Sequence, residues 1–328
     1  SPSGCPPPKK KKAPSASEST KTWFPPFLRL LGNSHKKKNE REPGPRTWPS
    51  RAAMAPCAQL VIGPAGSGKS TYCNNIHQHC QTIGRTVHII NLDPAADEFA
   101  YPVSADIREL ISLADVMEEM NLGPNGALLY CMEYLEDSLD DWLAEALEGY
   151  GEDDCIIFDC PGQIELYSHH TAFRSFVDQM AQWGWRMVAV YLLDSQFITD
   201  GAKFIAGCMQ CQAAMMNLEL PHVNVLSKVD LMEDKLVLEP YLNPDHPMLA
   251  GELHAQMRPR FHKLNNAISR LLDDYSMVSF HPLDISDEDS LAYVLYTVDS
   301  AVQYGEDADV RTSRDVDLGG GEFDDYNE

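Results

Sequence analysis

Ala58-Gln59-Leu60-Val61-Ile62-Gly63-Pro64-Ala65-Gly66-Ser67-Gly68-Lys69-Ser70-Thr71 is an apolar run that ends in a glycine-rich turn and then in a Lys-Ser-Thr sequence able to open a helix. Gly63, Gly68, Lys69 and Ser70 satisfy the phosphate-loop pattern G-x-x-x-x-G-K-[ST]. Glycines at Gly63, Gly66 and Gly68 let the backbone curl so that successive N–H groups, through Ser67 to Thr71, point at one anion. The helix that follows adds the positive end of its dipole. In such a loop Lys69 reaches the β- and γ-phosphates, and the Ser70 hydroxyl is a ligand for Mg²⁺. The strand–turn–helix context predicts a nucleoside triphosphate site here.

Working outward, Val87–Leu92 is a second continuous apolar strand and ends in Asp93-Pro94-Ala95-Ala96. An acid at the carboxyl end of a strand beside a phosphate loop faces the ligand crevice. Asp154–Asp159 is a third strand, followed by Cys160-Pro161-Gly162-Gln163. Asp159 is placed to hold Mg²⁺ through water, the Gly162 N–H to meet a γ-phosphate, and Gln163 to orient an attacking water. Met187–Asp194 and His222–Leu226 are further strands. The last of these runs into Ser227-Lys228-Val229-Asp230, in which a carboxylate can accept from guanine N1–H and N2–H₂ while the lysine stem covers the base. Adenine offers no matching donors. Met277–Phe280 reads as a short sixth strand. Helices are predicted over 69–82, 106–119, 164–183, 202–218 and 287–304, with a mostly helical stretch over 231–275. Asp106 either caps its helix or faces the site. Gly123-Pro124-Asn125-Gly126 reads locally as a turn before a helical stretch to about Leu147. Strands alternating with helices predict an α/β protein: a mainly parallel sheet covered by helices on both faces, with helical insertions.

The chain of 328 residues has 44% apolar residues and a formal charge of −23, unevenly spread. Residues 1–53 hold twelve Lys/Arg and three Glu, so the other 275 carry −32. So acidic a body argues against direct nucleic-acid binding. Its longest clean apolar run, Met187–Leu193, is too short for a bilayer, so no membrane association is expected. Nine cysteines without framework spacing read as reduced thiols. Residues 1–53, rich in Lys, Pro and Ser, read as a disordered basic extension extraneous to the mature protein. Residues 54–304 read as the catalytic domain, and 305–328 as an acidic solvated tail.

Taken in order, the phosphate loop, Asn91-Leu92-Asp93-Pro94-Ala95, Gly123-Pro124-Asn125, Asp159-Cys160-Pro161-Gly162-Gln163-Ile164-Glu165 and Ser227-Lys228-Val229-Asp230 resemble the GPN-loop GTPases from about Met54 to Asp307. The stretch Gln303-Tyr304-Gly305-Glu306-Asp307 looks most like the third eukaryotic paralogue. The resemblance implies a P-loop NTPase fold, GTP with Mg²⁺, and a homodimer or a heterodimer with another GPN-loop paralogue. It implies that Gly123, Pro124 and Asn125 project toward the nucleotide of the other subunit, with Asn125 at the phosphates. Gln163 would position water, and Asp93 and Glu165 would shape the polar network around it. It further implies a switch in RNA polymerase II assembly and nuclear import, with polymerase subunits as clients, in a cytoplasmic protein that shuttles to the nucleus. Two alternatives compete. An ATP-dependent small-molecule kinase shares loop and sheet but needs an arginine-bearing lid, and no such cluster is seen. A GTP-binding scaffold with little hydrolysis is opposed by Gln163 and Asp159.

Overall fold

The computed structural model describes residues 55–151, 154–274 and 278–305. The expectations for residues 1–53 and for the tail beyond Gly305 fall outside the described residues.

Seven strands form one sheet: β1 (Cys57–Ile62), β2 (Val87–Asn91), β3 (Val103–Asp106), β4 (Cys155–Asp159), β5 (Arg186–Asp194), β6 (His222–Ser227) and β7 (Phe280–Pro282). Their order is β3-β2-β4-β1-β5-β6-β7, and every pairing is parallel. Parallel strands need crossovers, so helices cover both faces and both faces are apolar. Alternation along each strand divides the core accordingly. Leu60, Ile90, Phe158 and Tyr191 face one side, while Val61, Ile89, Ile157 and Val190 face the other. Helices α1 (Lys69–Thr82) and α8 (Glu288–Val302) cover the second side. Helices α3 (Pro124–Asp137), α4 (Ala172–Gln182) and α5 (Gly201–Leu218) cover the first, with α2 (Leu113–Met120) packed beside α3. Helices α6 (His246–Gln256) and α7 (His262–Asp274) lie between β6 and β7. Phe158 and Phe176 meet edge-to-face at 5.0 Å in the first core, an arrangement their ring quadrupoles favour.

The chain leaves β1, builds β2 and β3 on one side, and returns through β4 to pair with β1; β5, β6 and β7 then extend the other side. The order therefore reverses at β1, and the crevice beyond its carboxyl end is where an open α/β sheet takes its ligand. At the opposite end of the sheet the buried Arg85 guanidinium donates to both carboxylate oxygens of Asp299, at 2.8 and 2.7 Å, and stacks over Tyr304 at 3.8 Å. This charge-assisted contact, both bonds from Nη1, fastens α8 to the turn before β2.

Four expectations are corrected. The helix expected over 106–119 is instead the edge strand β3, a single 3-10 turn at Ile107–Glu109, and α2. Asp106 caps that turn through the Arg108 N–H at 2.9 Å. Gly123-Pro124-Asn125-Gly126 is the start of α3: Gly123 is the N-cap and Pro124 the first helical residue, where its missing N–H costs nothing. The helix expected over 164–183 is broken between a single turn, Glu165–Ser168, and α4, because the His170 ring accepts from the Ala172 N–H at 3.2 Å and restarts the helix. The last strand lies at Phe280–Pro282, past the expected position.

Candidate functional site

The glycines of the phosphate loop are required by geometry. At Gly63 φ is +144°, and a Cβ would lie 2.4 Å from the Leu192 carbonyl oxygen of β5. Gly68 adopts φ +90° as the N-cap of α1, with no side chain satisfying the helix's first N–H groups and no acid in its first turn. Those amides are left for an anion. Lys69 is 9% exposed, and its ammonium donates to the Gly63 and Pro64 carbonyls, each at 3.3 Å. Burial lowers its pKa, while Asp159 and Asp93 hold it up.

Around this loop lies a cavity of about 490 Å³, lined among others by Gly66, Gly68, Ser70, Thr71, Asp93 and Gly162. Gly162 packs so closely that a Cβ there would be 2.8 Å from Ala65 Cα. Asp93 is held at the rim by two bonds to Asn91: its N–H donates to Asn91 Oδ1, and its carbonyl accepts from Asn91 Nδ2, both at 3.0 Å. Its carboxylate accepts from the Ala95 N–H at 2.9 Å. Burial raises its pKa against that N–H and Lys69. Asp159, at the end of β4, is 3% exposed. Its Oδ2 accepts from the Tyr101 hydroxyl at 2.6 Å, whereas Oδ1 is buried without a hydrogen-bond partner. Burial raises the Asp159 pKa, opposed by Tyr101, the neighbouring Ser70 hydroxyl and Lys69. A buried carboxylate with one oxygen unengaged, on a group that neighbours a serine hydroxyl, fits a hard cation that takes its remaining ligands from phosphate and water.

A second cavity of about 210 Å³ adjoins the first, sharing Gly68, Thr71 and Lys228 and bounded by Asp230, Leu283 and Ile285. Lys228 has φ +61°, and its ammonium donates to Asp194 Oδ2 at 2.6 Å, which stretches the stem across the opening. The Asp230 Oδ1 is buried and accepts nothing from the protein. The Ser227 hydroxyl is turned away from a ligand: it donates to the Ser67 carbonyl at 2.7 Å, tying β6 to the phosphate loop.

The structure thus lines one crevice with Gly66, Gly68, Lys69, Ser70, Thr71, Asp93, Gly162, Ser227, Lys228 and Asp230, with Gly63 and Ser67 bonded to it through Lys69 and Ser227 and Asp159 beside Ser70 and Lys69. It also brings Gln163 to Asn125, whose Oδ1 accepts from Gln163 Nε2 at 3.0 Å within the one chain. Gly123, Pro124 and Asn125 are exposed and line neither cavity. Glu165 is likewise exposed, on the turn Glu165–Ser168. Sequence reasoning missed Tyr101 and Asp194 as site residues. An isolated tyrosine in a loop carries no local signal, whereas Asp194 ends its strand as Asp93 and Asp159 do, a position that could have marked it; only the fold sets the two against Asp159 and Lys228.

A phosphate loop at the switch point of an all-parallel sheet, with an acid at the end of the adjoining strand, defines a P-loop NTPase. The comparisons narrow this class. Residues 61–304 match a family described as "Conserved hypothetical ATP binding protein". The chain is 52% identical over 278 residues to a GPN-loop GTPase 3 of Mycosarcoma maydis, covering 81% of this chain and 98% of that one. It is 51% identical over 265 residues to a GPN-loop GTPase 3 of Danio rerio, covering 79% and 92%. Its fold is similar to the apo form of a GTPase from Pyrococcus abyssi, with a TM-score of 0.61 at 20% identity, covering 75% of this chain and 97% of that one. The chain belongs to the GPN-loop GTPase family.

Proposed function

We propose that this chain is a GTP hydrolase that works with Mg²⁺ as one half of a dimer. The observation that carries the choice of nucleotide is Asp230, which lines a chamber sharing Gly68, Thr71 and Lys228 with the phosphate cavity and whose Oδ1 has no hydrogen-bond donor. Guanine supplies two N–H donors at that edge; adenine leaves the oxygen unpaired, which costs the full penalty of a buried polar group. The matching family is described by ATP binding and the curated relatives by GTP hydrolysis. Asp230 favours guanine.

The N–H groups from Gly66 to Thr71 and the Lys69 ammonium bind the phosphates. The Ser70 hydroxyl and Asp159 Oδ1 would hold Mg²⁺, which when bound neutralises charge on the β- and γ-phosphates. Gln163, its amide nitrogen engaged by Asn125, keeps its carbonyl oxygen to orient water for attack on the γ-phosphorus, giving GDP and phosphate. The Gly162 N–H adjoins the same loop, so loss of the γ-phosphate releases the segment that carries Gln163. The exposed position of Gly123-Pro124-Asn125 at the tip of α3 supports a role toward a second subunit's phosphates. The family likeness supports a switch in RNA polymerase II assembly and nuclear import, in a cytoplasmic protein that shuttles to the nucleus.

Asp230→Ala is expected to weaken GTP binding about a hundredfold, from the loss of hydrogen bonds to a charged group, and to leave ATP binding where it was. Competition titrations with both nucleotides check this; an unchanged GTP-to-ATP preference would contradict the guanine reading. For the dimer, the chain loaded with a non-hydrolysable GTP analogue is sedimented alone and mixed with a GPN-loop paralogue. A two-chain particle is expected in at least one sample, and monomers in both would contradict it.

A further inference from the structure

We propose that Tyr101 is a positioning residue of the metal site, fixing which oxygen of Asp159 faces the cation and coupling the segment between β2 and β3 to it. The inference rests on the Mg²⁺–GTP reading above. A carboxylate at the end of a strand can turn about its last torsion and exchange its two oxygens. Here the hydroxyl of Tyr101, a residue 5% exposed, donates to Oδ2 at 2.6 Å. That bond occupies Oδ2 and leaves Oδ1, buried and without a hydrogen-bond partner, as the oxygen not already engaged, on a carboxylate that neighbours Ser70.

Tyr101 is itself held in place. Arg108 donates from Nη1 to the Ala96 and Asp97 carbonyls at 2.8 and 2.9 Å. It grips the Asp106 carboxylate through Nε and Nη2 at 2.9 and 2.6 Å and lies over the Phe99 ring at 4.6 Å. Phe99 in turn packs on Tyr101 with ring centroids 5.3 Å apart. The segment from Asp93 to Tyr101 is therefore an arch clamped at its middle. One foot carries the Asp93 carboxylate into the phosphate cavity, and the other carries the Tyr101 hydroxyl to Asp159. Metal at Asp159 and the shape of the arch are linked through one hydrogen bond: a bound cation favours the arch closed, and a closed arch presents Oδ1 correctly.

Partners that orient a metal-binding carboxylate typically change metal affinity about 10–100-fold when removed. The test measures release of a fluorescent GDP analogue from the full chain as free Mg²⁺ is varied, which reads metal occupancy without turnover. Tyr101→Phe is expected to raise the Mg²⁺ concentration for half-maximal slowing of release by about 10–100-fold, while the release rate in EDTA stays as in the wild type. Phe99→Leu, which loosens the arch without touching Asp159, is expected to shift the midpoint the same way by less, and it decides the matter if Tyr101→Phe fails to hold nucleotide in EDTA. A midpoint within about twofold of wild type would overturn the proposal, since a tyrosine with a merely structural role would not move metal dependence. If release from the wild type itself ignored Mg²⁺, the metal reading of the site would fail first, and this inference with it.

Discussion

Lys69→Ala is expected to lose GTP affinity by about a thousandfold, the largest effect of any single change in the site. The ammonium lies at the floor of the phosphate loop, held by only two carbonyls at 3.3 Å. A triphosphate replaces those contacts with charge-assisted bonds to two phosphates, which together contribute about 4 kcal/mol. The same substitution removes the cation that offsets Asp159 and Asp93, whose carboxyl groups burial already makes harder to ionise. The metal oxygen and the phosphate grip fail together. The apo fold is expected to lose stability as well, because the buried Asp159 and Asp93 carboxyl groups are left without the cation that offsets them. Isothermal titration of a thermally intact variant checks this, and wild-type affinity would contradict it. If the chain acts in RNA polymerase II import, cells relying on this variant should retain the polymerase in the cytoplasm; normal import would contradict that role.

Gly162→Ala is expected to cut both GTP affinity and turnover about 10–100-fold, as displacements of about 1 Å in positioning elements do. The reason is contact rather than conformation, since φ at Gly162 lies outside the left-handed region. The added methyl would fall 2.8 Å from Ala65 Cα and 3.1 Å from Ala65 N, both backbone atoms of the phosphate loop. Either that loop opens or the loop carrying Gln163 retreats. Gly251→Ala in α6 is the matched control: nothing lies within 4 Å of its Cβ, and alanine favours a helix interior by about 0.5–1 kcal/mol over glycine. Kinetics of both variants against wild type separate the two glycines; equal behaviour would contradict the contact.

Most of the framework could be read before any coordinates because its signals are local. Short apolar runs bounded by turn residues, such as Ala58–Ile62 and Ile156–Phe158, read as buried strands, and the phosphate loop declares its turn and helix by residue type. What escaped detection depends on longer range. Val103-Ser104-Ala105-Asp106 has one β-branched apolar residue and sits half-exposed at the edge of the sheet, so its pairing with β2 rather than its composition makes it a strand. Gly123-Pro124 carries turn chemistry that also opens a helix, and only the Ala127 N–H to Gly123 carbonyl bond at 2.9 Å chooses between them. The partners of Asp159 and Lys228 stand 58 and 34 residues away in the chain, a distance that no spacing rule spans.

The measurement that bears most directly on the account is a titration of the purified chain, in Mg²⁺, with a fluorescent GTP analogue, competed by unlabelled GTP and by ATP. Saturable binding, displaced by GTP at concentrations at least about a hundredfold below those at which ATP displaces it, is the predicted result. Equal displacement by the two nucleotides, or no binding by a folded sample, would contradict a site built around the Lys69 ammonium and the buried oxygen of Asp230.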